Sequence, residues 1–261
     1  MANTVYENFY LANEVEDQFN SHLDLMRFCT VDRSLEGTAG MKKMVNVYSA
    51  TNGTEKLAMG AGNTKSIEVG FTQKEFEILL AQNRFQYFDE EEMKDPMVVP
   101  VGMKHAGTDL FNTVQGDIFG EFAKATLTHT ASAPDFDAFA DAIALMELPE
   151  NAETEVFGFV NAKMKAAVRK ALKDELKYVE AYARHGYIGT VCGVNLYDKR
   201  DAADNAIIIG TKKAVTMFTK PGIGVEQERD ANIRQNSIFT RKYYLTALTD
   251  ETQAVKITIG G

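Results

Sequence analysis

The chain has 261 residues, 45% of them hydrophobic and 25% charged, so it can bury a sizeable core as one large domain or two interlocked ones. With 37 acidic against 28 basic residues and a formal charge of −9, it is not built to grip nucleic acid through its phosphates, although it could enclose nucleic acid without holding it. No apolar run reaches bilayer length, the N-terminus lacks a signal-peptide pattern, and Cys29 and Cys192 stand far apart as free thiols suited to a reducing compartment.

Residues 1–40 are weakly periodic, and Phe9, Tyr10, Leu11, Val15, Phe19 and Leu23 predict at most a short amphipathic helix in an extended arm that docks onto something. Residues 41–66 predict a two-stranded ribbon without a core of its own. Val45 and Val47 alternate with Met44, Asn46 and Tyr48, and Asn52-Gly53 supplies the turn. Gly37 and Gly40 before it and Gly60 and Gly62 after it predict a flexible base. An isolated hairpin is marginal in water. The ribbon therefore needs a surface, either its own domain or another copy of the chain. The lone sequon Asn52-Gly53-Thr54 reads as a turn.

Short strand-like runs follow at 66–71, 76–80 and 85–88, leading into the acidic cluster Asp89–Glu92, read as a solvated turn. After Pro96 and Pro100, Met103, Leu110, Val114, Ile118, Phe122 and Ala125 predict one long helix over 100–128, despite Gly107, Gly116 and Gly120. A second helix is expected from Ser132, with Pro134 just inside and Asp135 closing a capping box. Val156–Val160 predicts a buried strand. Asn161 then caps a helix that continues or restarts as far as Gly186. Strands are predicted at 187–197, 206–209, 214–218, 238–245 and 254–259, with long connections at 198–205 and 219–237. No internal repeat or low-complexity tract is visible, and the order of elements is α+β.

Motifs for chemistry are poor. Gly60-Ala-Gly-Asn-Thr-Lys65-Ser66 has Thr64 and Met59 where a phosphate loop needs glycine, and a strand where it needs a helix. His22, His105, His129 and His185 form no ligand pair; His22 fits a solvated position on the arm, and the other three fit helix ends. Asp135-Phe-Asp137 lacks the glycine and the terminal glutamate of a calcium loop. Neither a serine elbow nor a catalytic cysteine context is present. No catalytic, cofactor-binding or metal site is assigned.

The second half is more specific. EVFGFVNAKMKAAVRKAL (155–172) is followed by GYIGTVCGVNLYDKR (186–200), NAIIIGTKKAVTMFTK (205–220) and GVEQERDANIRQNSIFTRKYYLTALTDETQAVKI (224–257). The patterns G-x-I-G-x-V-x-G at Gly186–Gly193, A-I-x-x-G-x-x-x-A at Ala206–Ala214, E-x-x-R-D at Glu226–Asp230 and the closing Val255–Ile257 resemble those of tailed-bacteriophage major capsid proteins of the Hong Kong 97-type fold. The acidic turn in 83–96 and the order of arm, ribbon and long helix are similar to that family as well.

The resemblance implies an N-terminal arm (1–40), an extended β-hairpin loop (41–66), a peripheral domain with a spine helix (67–130 with 221–261) and an axial domain (131–220). It further implies a non-enzymatic shell protein that forms hexamers and pentamers around double-stranded DNA. Portal, scaffolding and decoration proteins would be its partners, with no cofactor and no membrane. The sequence begins directly with the arm, so the resemblance implies a separate scaffolding protein or direct assembly. Subunit-interface candidates are Phe9, Tyr10, Val45, Val47, Tyr48, Asn52 and Gly53. Some relatives cross-link a ribbon lysine to a neighbour's asparagine, but no motif aligns Lys42, Lys43, Lys56 or Lys65 with Asn232 or Asn236. An encapsulin-type compartment storing a cargo enzyme is the alternative on the same fold. A small enzyme or nucleotide-binding protein using residues 60–66 is the alternative from another class.

Overall fold

A computed structural model of the chain describes residues 24–34, 42–51, 53–146, 148, 154–173, 189–220 and 223–260. A single 3-10 turn, Leu25–Phe28, opens the described chain, with the Asp24 carboxylate accepting from the Met26 N–H at 3.0 Å. Strand β1 (Thr30–Asp32) follows, then β2 (Lys42–Ala50), β3 (Val69–Glu77) and β4 (Leu79–Phe88). Helix α1 (Asp89–Lys94) carries four acids in its first turn, where the helix dipole favours them.

Helix α2 (Val98–Ala123) is the long helix expected over 100–128, but it stops at Ala123 and residues 127 and 128 belong to the next strand; Pro100 falls in its first turn, where a missing N–H costs nothing. Leu110, Val114, Ile118 and Phe122 recur every fourth residue and are all buried, which is why this stretch coils and which face it turns inward. Strand β5 is Leu127–Ala131, helix α3 Phe136–Ala144, strand β6 Val156–Val160 and helix α4 Ala162–Ala171. Strands β7 (Thr190–Val191), β8 (Val194–Asp198), β9 (Ala206–Thr211), β10 (Val215–Thr219), β11 (Gly224–Asp230), β12 (Gln235–Leu248) and β13 (Ala254–Ile259) complete the chain.

The strands form two sheets and a ribbon. In the first sheet β12 is the spine. Its first half pairs with β11, its second half with β10, and β4 runs along its other edge; β1 adds to β10 in parallel. Between the last β10 pair, Thr219 with Tyr244, and the first β11 pair, Gly224 with Arg241, the outer edge advances five residues (224 − 219) against three on β12 (244 − 241). The edge is therefore broken there. The second sheet runs β5-β13-β9-β6-β8-β7. Strand β6 lies inside it and is buried on all five residues, which explains the unbroken apolar run VFGFV. Gly158 at its centre is needed because Leu196 and Val194 press on the space a Cβ would take.

Side-chain alternation divides the core. Phe157 and Phe159 of β6 and Ile208 of β9 face α2, while Val156 and Val160 of β6 and Ile207 and Ile209 of β9 face α3 and α4. On the α2 side, Phe122 meets Phe157 and Phe159 edge-on at 5.7 and 5.5 Å, and Phe28 meets Phe157 at 4.8 Å. A third, small cluster of Ile78, Phe218, Leu245 and Ala247 sits where β3 becomes β4.

Several expectations require correction. Asp135 does not close a box from inside the helix; it is the N-cap itself, accepting from the Ala138 N–H at 3.0 Å, and α3 begins after it at Phe136. The segment 219–237, expected as a long connection, contains β11 and the start of β12. His129 lies inside β5, and His105 is well inside α2. His22 and His185 lie outside the described residues. So do residues 1–23 and 35–40 of the expected arm, and the expected helical continuation from 174 to Gly186. Asn161 does cap α4, accepting from the Met164 N–H at 2.7 Å, and the last strand has the bounds read from its pattern.

Candidate functional site: the ribbon and its exposed apolar face

The ribbon is longer than the sequence pattern suggested. Strand β2 pairs antiparallel with β3, from Lys42 opposite Glu77 to Ala50 opposite Val69. Nine residues at about 3.4 Å each carry it roughly 30 Å. Asn52-Gly53 is therefore not the turn of a two-residue hairpin, which corrects the expected 41–66 unit. The strands are joined by a connection from Thr51 to Glu68, closed by the Thr51 N–H donating to the Glu68 carbonyl at 3.0 Å. Its reversal lies at Met59-Gly60, where Gly60 has φ +84° and the Ala61 N–H returns to the Ala58 carbonyl. Gly53 serves another purpose: a Cβ there would lie 2.7 Å from the Ile67 backbone nitrogen, so only glycine lets the two limbs approach this closely.

The connection is organised from within. The Glu55 carboxylate accepts from the Thr64 N–H at 2.9 Å and from its hydroxyl at 2.8 Å, and these bonds hold its pKa below the ordinary value. The Glu68 N–H donates to Thr51 Oγ1 at 2.9 Å, and the Lys65 N–H donates to Asn63 Oδ1 at 3.1 Å. No helix follows residues 60–66, so this glycine-containing stretch lacks the N-terminus that would aim N–H groups at a phosphate.

At its base the ribbon is fastened. Ile78 is buried, Lys74 meets Glu251 at 2.5 Å, and the Lys43 ammonium donates to Ser34 Oγ at 2.8 Å and lies 5.4 Å from the Phe218 ring centre. Further out the fastening stops. Every residue from 56 to 71 is exposed, and these include Leu57, Met59, Ile67, Val69 and Phe71; Met59 has its whole side chain in solvent. Met44 on β2 adds a sixth. A row of large apolar side chains on a projection without a core is a contact surface.

Of the residues predicted for this surface, Val45, Val47 and Tyr48 lie in β2, opposite Lys74, Thr72 and Phe71. Gly53 lies in the connection, and Phe9, Tyr10 and Asn52 lie outside the described residues. Ile67, Val69 and Phe71 were missed as ribbon residues. Their period-2 spacing is plain in the sequence, but the Asn-Gly signal closed the ribbon before reaching them.

The acidic cluster is tied down. Asp89 accepts from Arg229 at 2.5 Å and from Asn236 at 2.7 Å, and Glu90 accepts from Arg234 at 2.6 Å. The Arg229 guanidinium, chiefly through its hydrogen bond, holds the Asp89 carboxyl below the ordinary carboxylate value. The late E-x-x-R-D pattern thus fastens β11 to α1, a role its letters alone did not reveal. Cys29 is buried, its thiol pushed up to about 11 by burial and then by Asp24, and Cys192 sits at φ 49° in the β7–β8 turn. Among the described residues no three His, Cys, Asp or Glu side chains gather as metal ligands, and no helix is long and apolar enough to cross a membrane.

No family model matches the chain. It is 24% identical over 260 residues to the major capsid protein of Staphylococcus phage phiMR11, an alignment covering 96% of this chain and 92% of that one. Among solved structures, one from Mycobacterium phage Che8 superposes with a TM-score of 0.69 at 20% identity, over 87% of this chain and 88% of the other. The capsid of cyanophage P-SCSP1u superposes with a TM-score of 0.71 at 12% identity, over 99% and 91%. The chain has the fold of phage capsid proteins, and the resemblance to tailed-phage major capsid proteins drawn from residues 186–257 holds.

Proposed function

We propose that this chain is the major capsid protein of a tailed bacteriophage, a structural protein and not an enzyme, whose copies close as hexamers and pentamers into an icosahedral shell around double-stranded DNA. The observation that carries this reading is the ribbon, fastened at Ile78 and Lys74 but exposed along residues 56–71 with five large apolar side chains. Such a surface is stable when it lies across another copy, and repeated heterologous contacts of this kind close into a shell. The capsid fold and the full-length likeness to a phage major capsid protein support the same conclusion.

In this reading 1–40 is the arm, and the extended loop runs from β2 to β3. Helix α2 is the spine of a peripheral unit (67–130 with 221–261), and 131–220 forms the axial unit. Strands β5, β10 and β13 cross that division, each pairing in the sheet of the other unit, so the two units interlock. The net charge of −9 suits a wall that encloses DNA without adhering to it. The virion is its place of work, after assembly in the host cytoplasm with a portal and with scaffolding or decoration proteins.

Expression of the chain, followed by sedimentation and negative-stain microscopy, tests the proposal. Closed shells of megadalton mass are expected. Small oligomers alone, at every concentration and with every co-expressed phage protein, would contradict it.

A further inference from the structure

The ribbon is a sheet of its own: among the described residues β2 and β3 pair with each other and with no strand of the two larger sheets. Strand β3 runs into β4 of the first sheet through one residue, Ile78, which is buried in a cluster with Phe218, Leu245 and Ala247. A buried attachment fixes where a projection starts. It does not fix the direction in which the projection leaves, because a pivot allows rotation.

Direction is set further out, at Lys74. Its ammonium meets the Glu251 carboxylate at 2.5 Å, four residues beyond the pivot (78 − 74). At about 3.4 Å per residue that is a lever arm of roughly 14 Å. Val69, where β3 begins, is nine residues from the pivot (78 − 69), so a shift of about 2 Å at Lys74 becomes roughly 4–5 Å there.

Glu251 stands at a crossing. It opens the 3-10 turn Glu251–Gln253, where the chain leaves β12 of the first sheet for β13 of the second. This turn is held firmly. The Thr249 N–H donates to the Ala214 carbonyl at 2.9 Å, the Asp250 carboxylate accepts from the Thr252 N–H at 3.1 Å, and buried Gln253 accepts from Thr211 Oγ1 of β9 at 3.0 Å. Glu251 also accepts from the Thr126 side chain, in the short link by which α2 passes to β5 of the second sheet. A ribbon rooted in the first sheet is therefore braced against both of these passages into the second.

We infer that Lys74 and Glu251 form a strut that sets the angle at which the ribbon leaves the subunit and couples that angle to the seating of the second sheet on the first. Both are positioning residues. A partly exposed ion pair adds little to the stability of the fold, yet it can weight one direction of a projection over others. A ribbon already aimed needs less ordering when it meets a neighbour, and that consequence rests on the shell reading above.

Distances between paired spin labels test the strut on single subunits, separated by sedimentation. Cys192→Ser removes the partly exposed thiol, while Cys29 is buried, its thiol pushed up to about 11, and stays unlabelled. Lys65→Cys carries one label on the ribbon, and either Lys94→Cys on α1 or Thr128→Cys on β5 carries the other; all three positions are exposed. Expected is a narrow distance distribution from each pair in the chain that keeps Lys74 and in Lys74→Arg. Lys74→Met should move or widen at least one distribution by about 5 Å, and Lys74→Glu combined with Glu251→Lys should narrow it again. Each variant is first checked for the wild-type melting transition; if Lys74→Met lowers it, Glu251→Gln takes its place. Unchanged distributions without the ion pair, no recovery in the exchanged pair, or broad distributions while Lys74 is present would each overturn the inference. Absence of shells from the wild-type chain would remove the capsid reading and leave the strut to be decided by the distances.

Discussion

The Leu25 N–H donates to the side-chain oxygen of Gln115 at 2.5 Å, in a site where Leu25 is fully buried and Gln115 is 1% exposed. The Gln115 amide in turn donates to Asp24 at 3.1 Å, so one side chain in the middle of α2 satisfies both the backbone and the cap of the 3-10 turn. This is the point where the chain that follows residues 1–23 is fixed to the folded body. Gln115→Leu keeps the bulk but leaves a buried N–H without a partner, which costs about 1–3 kcal/mol. A urea titration should show the midpoint lowered with an unchanged slope; an unchanged midpoint would show that the turn is held by Leu25 and Phe28 packing alone.

The glycines of α2 divide into two kinds. A Cβ at Gly102 would lie inside the Phe85 ring, so Gly102→Ala forces that ring or the helix to move and is expected to destabilise by about 1–3 kcal/mol. Gly116 and Gly120 face open space in the subunit, and alanine there is expected to gain up to about 1 kcal/mol each in helix propensity. Thermal melts of the three variants should therefore shift in opposite directions.

Acid should loosen the subunit through specific carboxylates. Arg229 lowers Asp89 from its ordinary 3.8, and Lys74 lowers Glu251 from its ordinary 4.5. A carboxylate with a depressed folded-state pKa is stabilising above its unfolded value, and the contribution is lost as pH falls through the folded one. Stability should thus be flat from about pH 7 to 5 and decline below about pH 4.5, less steeply in Asp89→Asn. The difference should shrink at about 1 M salt, because these pairs are near the surface. A midpoint with the same acid dependence in Asp89→Asn would show that the bond to Arg229 is not responsible.

The tip of the ribbon is preorganised by Glu55 and Thr64. Glu55→Ala should leave the subunit's melting transition in place, because nothing in the core touches it, while amide exchange over 53–68 speeds up. Shell assembly should become slower, since a looser tip must be ordered on contact. Unchanged exchange would mean that the close approach at Gly53 alone fixes the tip.

Where a residue's local preference and its burial agree, the sequence was readable. Asn161 as a cap, Val156–Val160 as a wholly buried strand and the four-residue rhythm from Leu110 to Phe122 all have their cause within a few residues. Strand β11 was invisible because its side chains from Val225 to Asp230 are all exposed, so neither alternation nor an apolar run marks it; it is a strand because β12 pairs with it. The ribbon was found but closed too early: Asn-Gly is a strong local signal, yet the pairing of β2 with β3 across residues 51–68 overrides it. The roles of Gln115, Asp89 and Arg229 depend on partners 90 to 147 residues away, and no window of sequence contains both ends.

The central claim is that the exposed ribbon completes itself on another copy, and shortening it tests this most directly. Residues 54–66 can be replaced by a short glycine-containing turn, which leaves the Ile78 base and the Lys74–Glu251 pair untouched. The shortened chain, purified beside the wild type, is assayed for melting and imaged by electron microscopy. A folded subunit with wild-type melting that no longer forms stable shells is the expected result. Stable shells at normal yield from the shortened chain would contradict the account.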